Sequence, residues 1–272
     1  IYFGLYPYIV AFAKERGYHI VSGKDVEVYN KVDKEVVTKF SNSLGQKFEA
    51  RDYQIDAIYH SLKYNRALLL SPTASGKSFI IYSLIRYYSH LIKDEPNNRI
   101  LLIVPTTSLV EQMYSDFQSY GWNVKKNCHR LYSGYSNQTD KKVLISTWQS
   151  LYKLPKKYFE QFGVVFGDEA HLFKSKSLTE IMTKLEDCKY RIGLTGTLDG
   201  AQTHKLVLEG LFGAVNKVTS TRKLMDKQQL SNLVVRCLIL KHTVENSKMV
   251  TSGKYQDEID YLVSSKSRQN FI

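Results

Sequence analysis

The sequence predicts an α/β fold: a mainly parallel central sheet flanked by helices, with a small α/β segment at its N-terminus. Three observations carry this. Continuous apolar runs at 67–70, 100–104 and 164–166 have the length of strands buried on both faces. The stretches between them place apolar residues at helical spacing. Strand and helix alternate along the chain, the pattern of parallel strands joined by crossover helices.

In chain order, Leu5, Ile9, Phe12 and Ala13 predict a helix ended by Gly17, then a strand at 18–21. Val36, Val37, Phe40 and Leu44 predict a second helix, with Asp33 as its N-cap and Gly45 as its stop. Asp52 caps a third, whose inner face carries Ile55, Ile58, Tyr59 and Leu62. Strands follow at 67–70, 99–104, 142–146, 164–167 and 191–194, with helices at 77–92 and 108–120 and a turn at 94–98. Residues 245–254 read as a polar loop and 256–272 as one helix.

Composition narrows the class. Of 272 residues, 43% are hydrophobic and 24% charged, ordinary for a soluble globular protein. No apolar run reaches the roughly 18 to 20 residues that cross a bilayer, and the stretch 6–14, broken by Pro7 and followed by charge, does not resemble a secretory signal. Cys128, Cys188 and Cys237 lie far apart without metal-ligand spacing, which points to reduced thiols and a cytoplasmic setting. The net charge of +12 favours a polyanionic partner.

Chemistry gathers at two strand ends. After 67–70 comes Ser71-Pro72-Thr73-Ala74-Ser75-Gly76-Lys77-Ser78, which opens a helix. A helix N-terminus turns backbone N–H groups and the positive end of its dipole toward anions, and glycine admits close backbone approach. Pro72, Thr73, Ala74, Ser75, Gly76, Lys77 and Ser78 are therefore candidates for holding ATP. Lys77 would reach the β- and γ-phosphates, and Ser78 would offer its hydroxyl to Mg2+. Ser71 stands where the phosphate-loop pattern has its first glycine. After 164–167 come Asp168, Glu169, Ala170 and His171. Adjacent carboxylates at a strand end suit phosphoanhydride hydrolysis, Asp168 holding Mg2+ and Glu169 polarising water. Lys77, Asp168 and Glu169 are the catalytic candidates.

In this order the motifs resemble those of the superfamily 2 DExH-box helicases, and nearly the whole chain is similar to the UvsW-type recombination-repair helicases of phages. The resemblance implies a RecA-like P-loop lobe. Arg51, Tyr53 and Gln54 resemble the family's adenine-reading motif, with Gln54 on the base edge. Pro105, Thr106 and Thr107 resemble motif Ia, and Ser146, Thr147, Trp148 and Gln149 motif Ib; in the family both contact the nucleic-acid backbone. Thr195, Gly196 and Thr197 resemble motif III, which with His171 couples nucleotide state to the bound strand. Leu198 stands where many relatives carry proline, and Gly167 where an apolar residue is common, a change expected to loosen that strand end. Trp148 starts a helix and is expected to pack inward more than to stack on a base.

The resemblance also divides the chain. Residues 1–46 are the remnant of a nucleic-acid-binding accessory domain, 47–243 the first RecA-like lobe, and 244–272 a loop and helix leading to a second lobe. The implied activity is ATP-driven translocation on single-stranded or branched DNA without sequence preference, by a monomer in the cytoplasm of a phage's host and away from membranes. The second lobe of the same polypeptide would supply the arginines of the nucleotide site, so the 272 residues alone should hydrolyse ATP poorly. The motor part of a restriction translocase and a binding module with a vestigial nucleotide site are the alternatives.

Overall fold

The computed structural model describes residues 2–21, 30–198, 200–231, 237, 239–241, 243–244, 247–248 and 253–271. The chain divides into two compact units, Ile1–Leu230 and Ser231–Ile272. Among the described residues of the first unit, seven strands form one parallel sheet. They are β1 Arg66–Leu70, β2 Arg99–Val104, β3 Cys128–Leu131, β4 Val143–Thr147, β5 Phe162–Asp168, β6 Tyr190–Thr195 and β7 Val215–Lys217. Their spatial order is β3-β4-β2-β5-β6-β1-β7. The helices are α1 Tyr6–Glu15, α2 Lys34–Asn42, α3 Asp52–Tyr64, α4 Lys77–Leu91, α5 Thr107–Ser119, α6 Val124–Asn127, α7 Trp148–Tyr152, α8 Lys156–Phe159, α9 Lys176–Lys184, α10 Gln202–Phe212 and α11 Thr221–Asp226.

Successive strand residues face opposite sides, so an apolar run buried on both faces feeds two cores. Ile100, Leu102 and Val104 of β2 join one cluster with Ile80, Leu84 and Tyr88 of α4 and Val110 and Phe117 of α5. Leu101 and Ile103 join the other, with Phe173, Ile181 of α9 and Leu211 and Phe212 of α10. β4 and β5 divide their residues the same way. Because the strands are parallel, their carboxyl ends share one edge of the sheet, where ligands of such folds bind.

Several sequence expectations need correction. Residues 18–21 form no strand. Gly17 is left-handed at φ 68°, and the Tyr18 N–H closes the end of α1 on the Ala13 carbonyl at 2.8 Å. The amide that a strand would use is spent on a helix cap. Asp33 caps α2 as expected, accepting from the Glu35 N–H at 2.7 Å. Asp52, by contrast, is the first residue of α3; Arg51 precedes it, its N–H donating to Gln54 Oε1 at 2.9 Å. Gly167 is not a loose point. A Cβ there would lie 2.8 Å from the Phe173 and Phe212 ring carbons, so two aromatic rings fill the space a side chain would take.

Within the first unit, the chain at Gly4 approaches the backbone of α10 closely. Phe3–Leu5 is a 3-10 turn, and a Cβ at Gly4 would collide with the Glu209 and Gly210 carbonyls of α10. Tyr8 Oη donates to the buried Glu209 carboxylate at 2.6 Å. Val37 and Leu44 belong to the same core cluster as α4. Arg191, at the start of β6, is buried and donates to the carbonyls of Met182, Leu185 and Cys188, satisfying the end of α9.

In the second unit the expected single helix is two, Tyr255–Ser264 and Lys266–Phe271, separated by Ser265 in an extended conformation. The loop expected at 245–254 lies mostly outside the described residues. Among the described residues no helix is long and apolar enough to cross a membrane, and no cluster of His, Cys, Asp and Glu could hold a metal ion as a threesome. Cys128 and Cys188 are buried, and burial pushes their thiols up to about 12 and about 11.

Candidate nucleotide site

Five of the sequence motifs stand side by side on the carboxyl edge. Following the strand order from β4 to β1, they are 146–149 after β4, 105–107 after β2, the acidic pair after β5, 195–197 after β6 and the phosphate loop after β1. Neighbouring strands lie about 4.8 Å apart, so the line spans roughly 20 Å. The register pairs Leu70 with Thr195, Asp168 with Leu194 and Val104 with Thr147.

The phosphate loop is held from three sides. Ser71 is fully buried, its N–H donating to the Thr195 carbonyl at 2.8 Å and its hydroxyl 2.6 Å from that of Ser75. A serine thus replaces the expected glycine by bridging the base of the loop. Ser75 Oγ also donates to the Pro72 carbonyl at 2.6 Å. Ala74 and Gly76 are left-handed, at φ 62° and 79°; the alanine stores about 1 kcal/mol of strain or more. Thr73 and Ala74 are exposed, whereas Lys77 and Ser78 are half-buried at the start of α4.

Arg51, Tyr53 and Gln54 come together on this loop rather than standing free of it. The Ser75 carbonyl accepts from Tyr53 Oη at 3.1 Å and Gln54 Nε2 at 3.0 Å, and Arg51 donates to Tyr53 Oη at 2.8 Å. Gln54 is buried, and both ends of its amide are used. Here it clamps the loop through one N–H and one lone pair of its amide.

Across the loop, Lys77 Nζ lies 3.3 Å from Glu169 Oε1. Glu169 itself is left-handed, φ 49°, a strained conformation for a residue with a side chain. Its other oxygen lies 3.4 Å from His171 Nδ1, and that nitrogen lies 2.9 Å from Thr195 Oγ1. Thr195 Oγ1 donates in turn to the Thr197 carbonyl at 2.9 Å. The four residues named for coupling therefore sit between the two halves of the site. Gly196 borders the loop, with Lys77 Nζ 3.7 Å from where its Cβ would be.

Asp168 is buried, and its Oδ1 has no hydrogen-bond partner. Burial, then the neighbouring Glu169 charge, pushes its carboxyl up to about 6, with Lys77 opposing them. An orphaned buried carboxylate oxygen is donor chemistry that a hard cation takes. One further residue belongs here that the sequence reading missed. Tyr120 Oη lies 2.9 Å from Ser78 Oγ, and nothing in the local sequence signals a partner 42 positions away.

Of the remaining candidates, Thr106 and Thr107 are exposed and Pro105 half-buried, Thr106 capping α5 through the Leu109 N–H at 3.3 Å. Gln149 is exposed. Ser146 and Thr147 are buried, and Ser146 Oγ donates to the Leu131 carbonyl at 2.9 Å. This places Ser146 beneath the surface as a brace, out of side-chain reach of a strand. Trp148 packs against the second core cluster, as expected.

A phosphate-type loop facing two strand-end carboxylates, with a histidine–threonine link between them, defines a helicase-type P-loop lobe. The chain belongs to the family described as Type III restriction enzyme, res subunit, matched over residues 47–200, and within the superfamily 2 helicases it is UvsW-like. It is 32% identical, over 99% of its length, to the ATP-dependent DNA helicase UvsW of Enterobacteria phage T4, covering 55% of that protein. A crystal structure of the T4 UvsW helicase superposes with a TM-score of 0.70 at 32% identity, covering 80% of this chain and 79% of that one. The DNA 3'-5' translocase XPB2 of Sulfurisphaera tokodaii is 26% identical over 56% of this chain and 31% of its own length. The chain thus spans about half the length of one curated relative and a third of the other.

Proposed function

We propose that this chain is the ATP-binding motor lobe of a DNA helicase or translocase, coupling ATP hydrolysis to movement on, or remodelling of, branched DNA. The observation that supports it most is the contact of Lys77, at the helix start after β1, with Glu169 beside the orphaned Asp168 at the end of β5, reached across β6. In this reading the loop from Pro72 to Ser78 holds the phosphates of ATP, and Lys77 neutralises charge on the β- and γ-groups. Bound Mg2+, which Ser78 and Asp168 would hold, neutralises charge on the phosphate oxygens. Glu169 orients the attacking water and takes its proton, and His171, Thr195, Gly196 and Thr197 pass the state of the site along the edge toward 105–107 and 146–149.

Motif Ia would hold phosphates of a single strand through its exposed hydroxyls, and both motifs through backbone N–H groups, without reading bases. A second RecA-like lobe of the same polypeptide completes the site, the protein acts as a monomer in the cytoplasm, and residues 1–46 derive from an accessory DNA-binding domain. The match to a restriction-enzyme family favours a second reading, the motor of a restriction translocase; a nuclease partner that cleaves during translocation would distinguish it. The test is ATP turnover by the full-length protein with single-stranded, duplex and forked DNA and RNA side by side. Lys77→Ala should lower turnover by roughly 100-fold or more. Full activity in that variant would end the ATPase reading.

A further inference from the structure

The proposed DNA edge continues one strand beyond motif Ib, to the end of β3, where the function above assigns nothing. β3 is the edge strand, Leu131 pairs with Ser146, and Ser146 Oγ is bonded to the Leu131 carbonyl. The loop after β3 therefore rises about 5 Å from motif Ib and about 10 Å from motif Ia. Its outermost ring is Tyr135, 38% exposed. Exposure here comes with fixation. The Arg130 guanidinium lies over the ring, 5.3 Å from its centroid, while Tyr132 meets it edge-on at 4.7 Å and His129 at 6.2 Å. The loop is tied down by His129 Nε2 at 2.7 Å from the Ser136 carbonyl and by Tyr158 Oη donating to the Asn137 carbonyl at 3.0 Å. Gly134, just before the ring, is left-handed at φ 94°.

The charge in this cluster is already spent. Arg130 pairs with Glu111 of α5 at 2.5 Å, and the other Glu111 oxygen accepts from Tyr132 at 2.7 Å. With its cation neutralised, the cluster has little to offer a phosphate. What it presents is a part-exposed aromatic ring, held in place by Arg130, Tyr132 and His129. Base stacking on such a ring is tolerant of sequence and strong per contact, and a fixed ring loses little freedom on binding.

We propose that Tyr135 is a stacking platform for a nucleobase of single-stranded DNA, next to the nucleotides whose phosphates motifs Ia and Ib hold. Arg130, Glu111, Tyr132 and His129 are its positioning residues. The proposal rests on the DNA-motor reading given above. It makes the contact depend on bases, whereas motifs Ia and Ib depend only on the backbone.

The test uses the full-length protein and two labelled strands of equal length, oligo-dT and an abasic strand with the same phosphates. In fluorescence anisotropy the wild type should prefer oligo-dT. Tyr135→Ala should lose roughly 5- to 150-fold on oligo-dT and nothing on the abasic strand, and Tyr135→Phe should keep wild-type affinity. Photocrosslinking with 5-iodouracil in the strand should give an adduct on Tyr135. Equal affinities of Tyr135→Ala and wild type for oligo-dT, or an equal loss on both strands, overturn the platform while leaving the motor reading intact. A wild type that binds neither strand overturns both.

Discussion

Asp168 shows how a single residue carries a cost that its chemistry requires. Its folded-state carboxyl, at about 6, lies above the ordinary value of 3.8, so the folded protein binds the proton more tightly than the unfolded chain does. Its stability is then fully present below 3.8 and is lost as pH rises through 6, by up to about 3 kcal/mol. In EDTA, the melting temperature of Asp168→Asn relative to wild type should rise by several degrees between pH 5 and pH 8. A difference that stays flat across that range would show that the carboxylate is not strained in the free protein. Glu169 in its left-handed conformation tells the same story in backbone terms. Both acids were legible from their place after an apolar run. Their strain was not, because the burial of Asp168 depends on the strands packed beside β5, which lie far away in sequence.

Elements were legible in proportion to how completely they are buried. The expectation for β2 matches its bounds, and β1, β4, β5 and β6 fall within a residue or two, since strands covered on both faces read as unbroken apolar runs. β3, with Cys128, His129, Arg130 and Leu131, and β7, with Val215, Asn216 and Lys217, lie at the sheet's edges and mix polar with apolar residues. Their composition carries no such signal. Arg191 illustrates the same limit for helix ends: α9 stops on carbonyls that a strand residue satisfies. Arg191→Ala would remove the side-chain donor of the Met182 carbonyl, a loss of about 1 to 3 kcal/mol if it is left buried, while the Leu185 and Cys188 carbonyls keep the Cys188 N–H at 3.2 Å and Arg66 Nη2 at 3.4 Å. Urea unfolding should show a loss of about 1 to 3 kcal/mol. A shift within experimental error would mean that water replaces the guanidinium there.

At the scale of the whole molecule, the net charge of +12 has to be reconciled with few committed DNA contacts. Motif Ia offers exposed hydroxyls, both motifs precede helix-start N–H groups, and Arg130 in the Tyr135 cluster is paired with Glu111. Affinity for single strands should therefore fall with salt only moderately. A logarithmic slope of about −2 to −3.5 corresponds to three to five phosphates. A much steeper slope in anisotropy titrations would place the lysines of the outer surface in the binding site as well.

The strand order has a consequence for how the chain is made. β1, which carries the phosphate loop, pairs with β6 and β7, and the partner of Leu70 is Thr195. That partner is synthesised about 125 residues later (70 against 195), roughly 6 to 25 s at ordinary ribosome speeds. Throughout that interval the apolar strand Arg66–Leu70 has neither neighbour in the sheet. The loop of the proposed nucleotide site thus begins early in translation and lies where the sheet closes last, so its strand stays unpaired longest at that place.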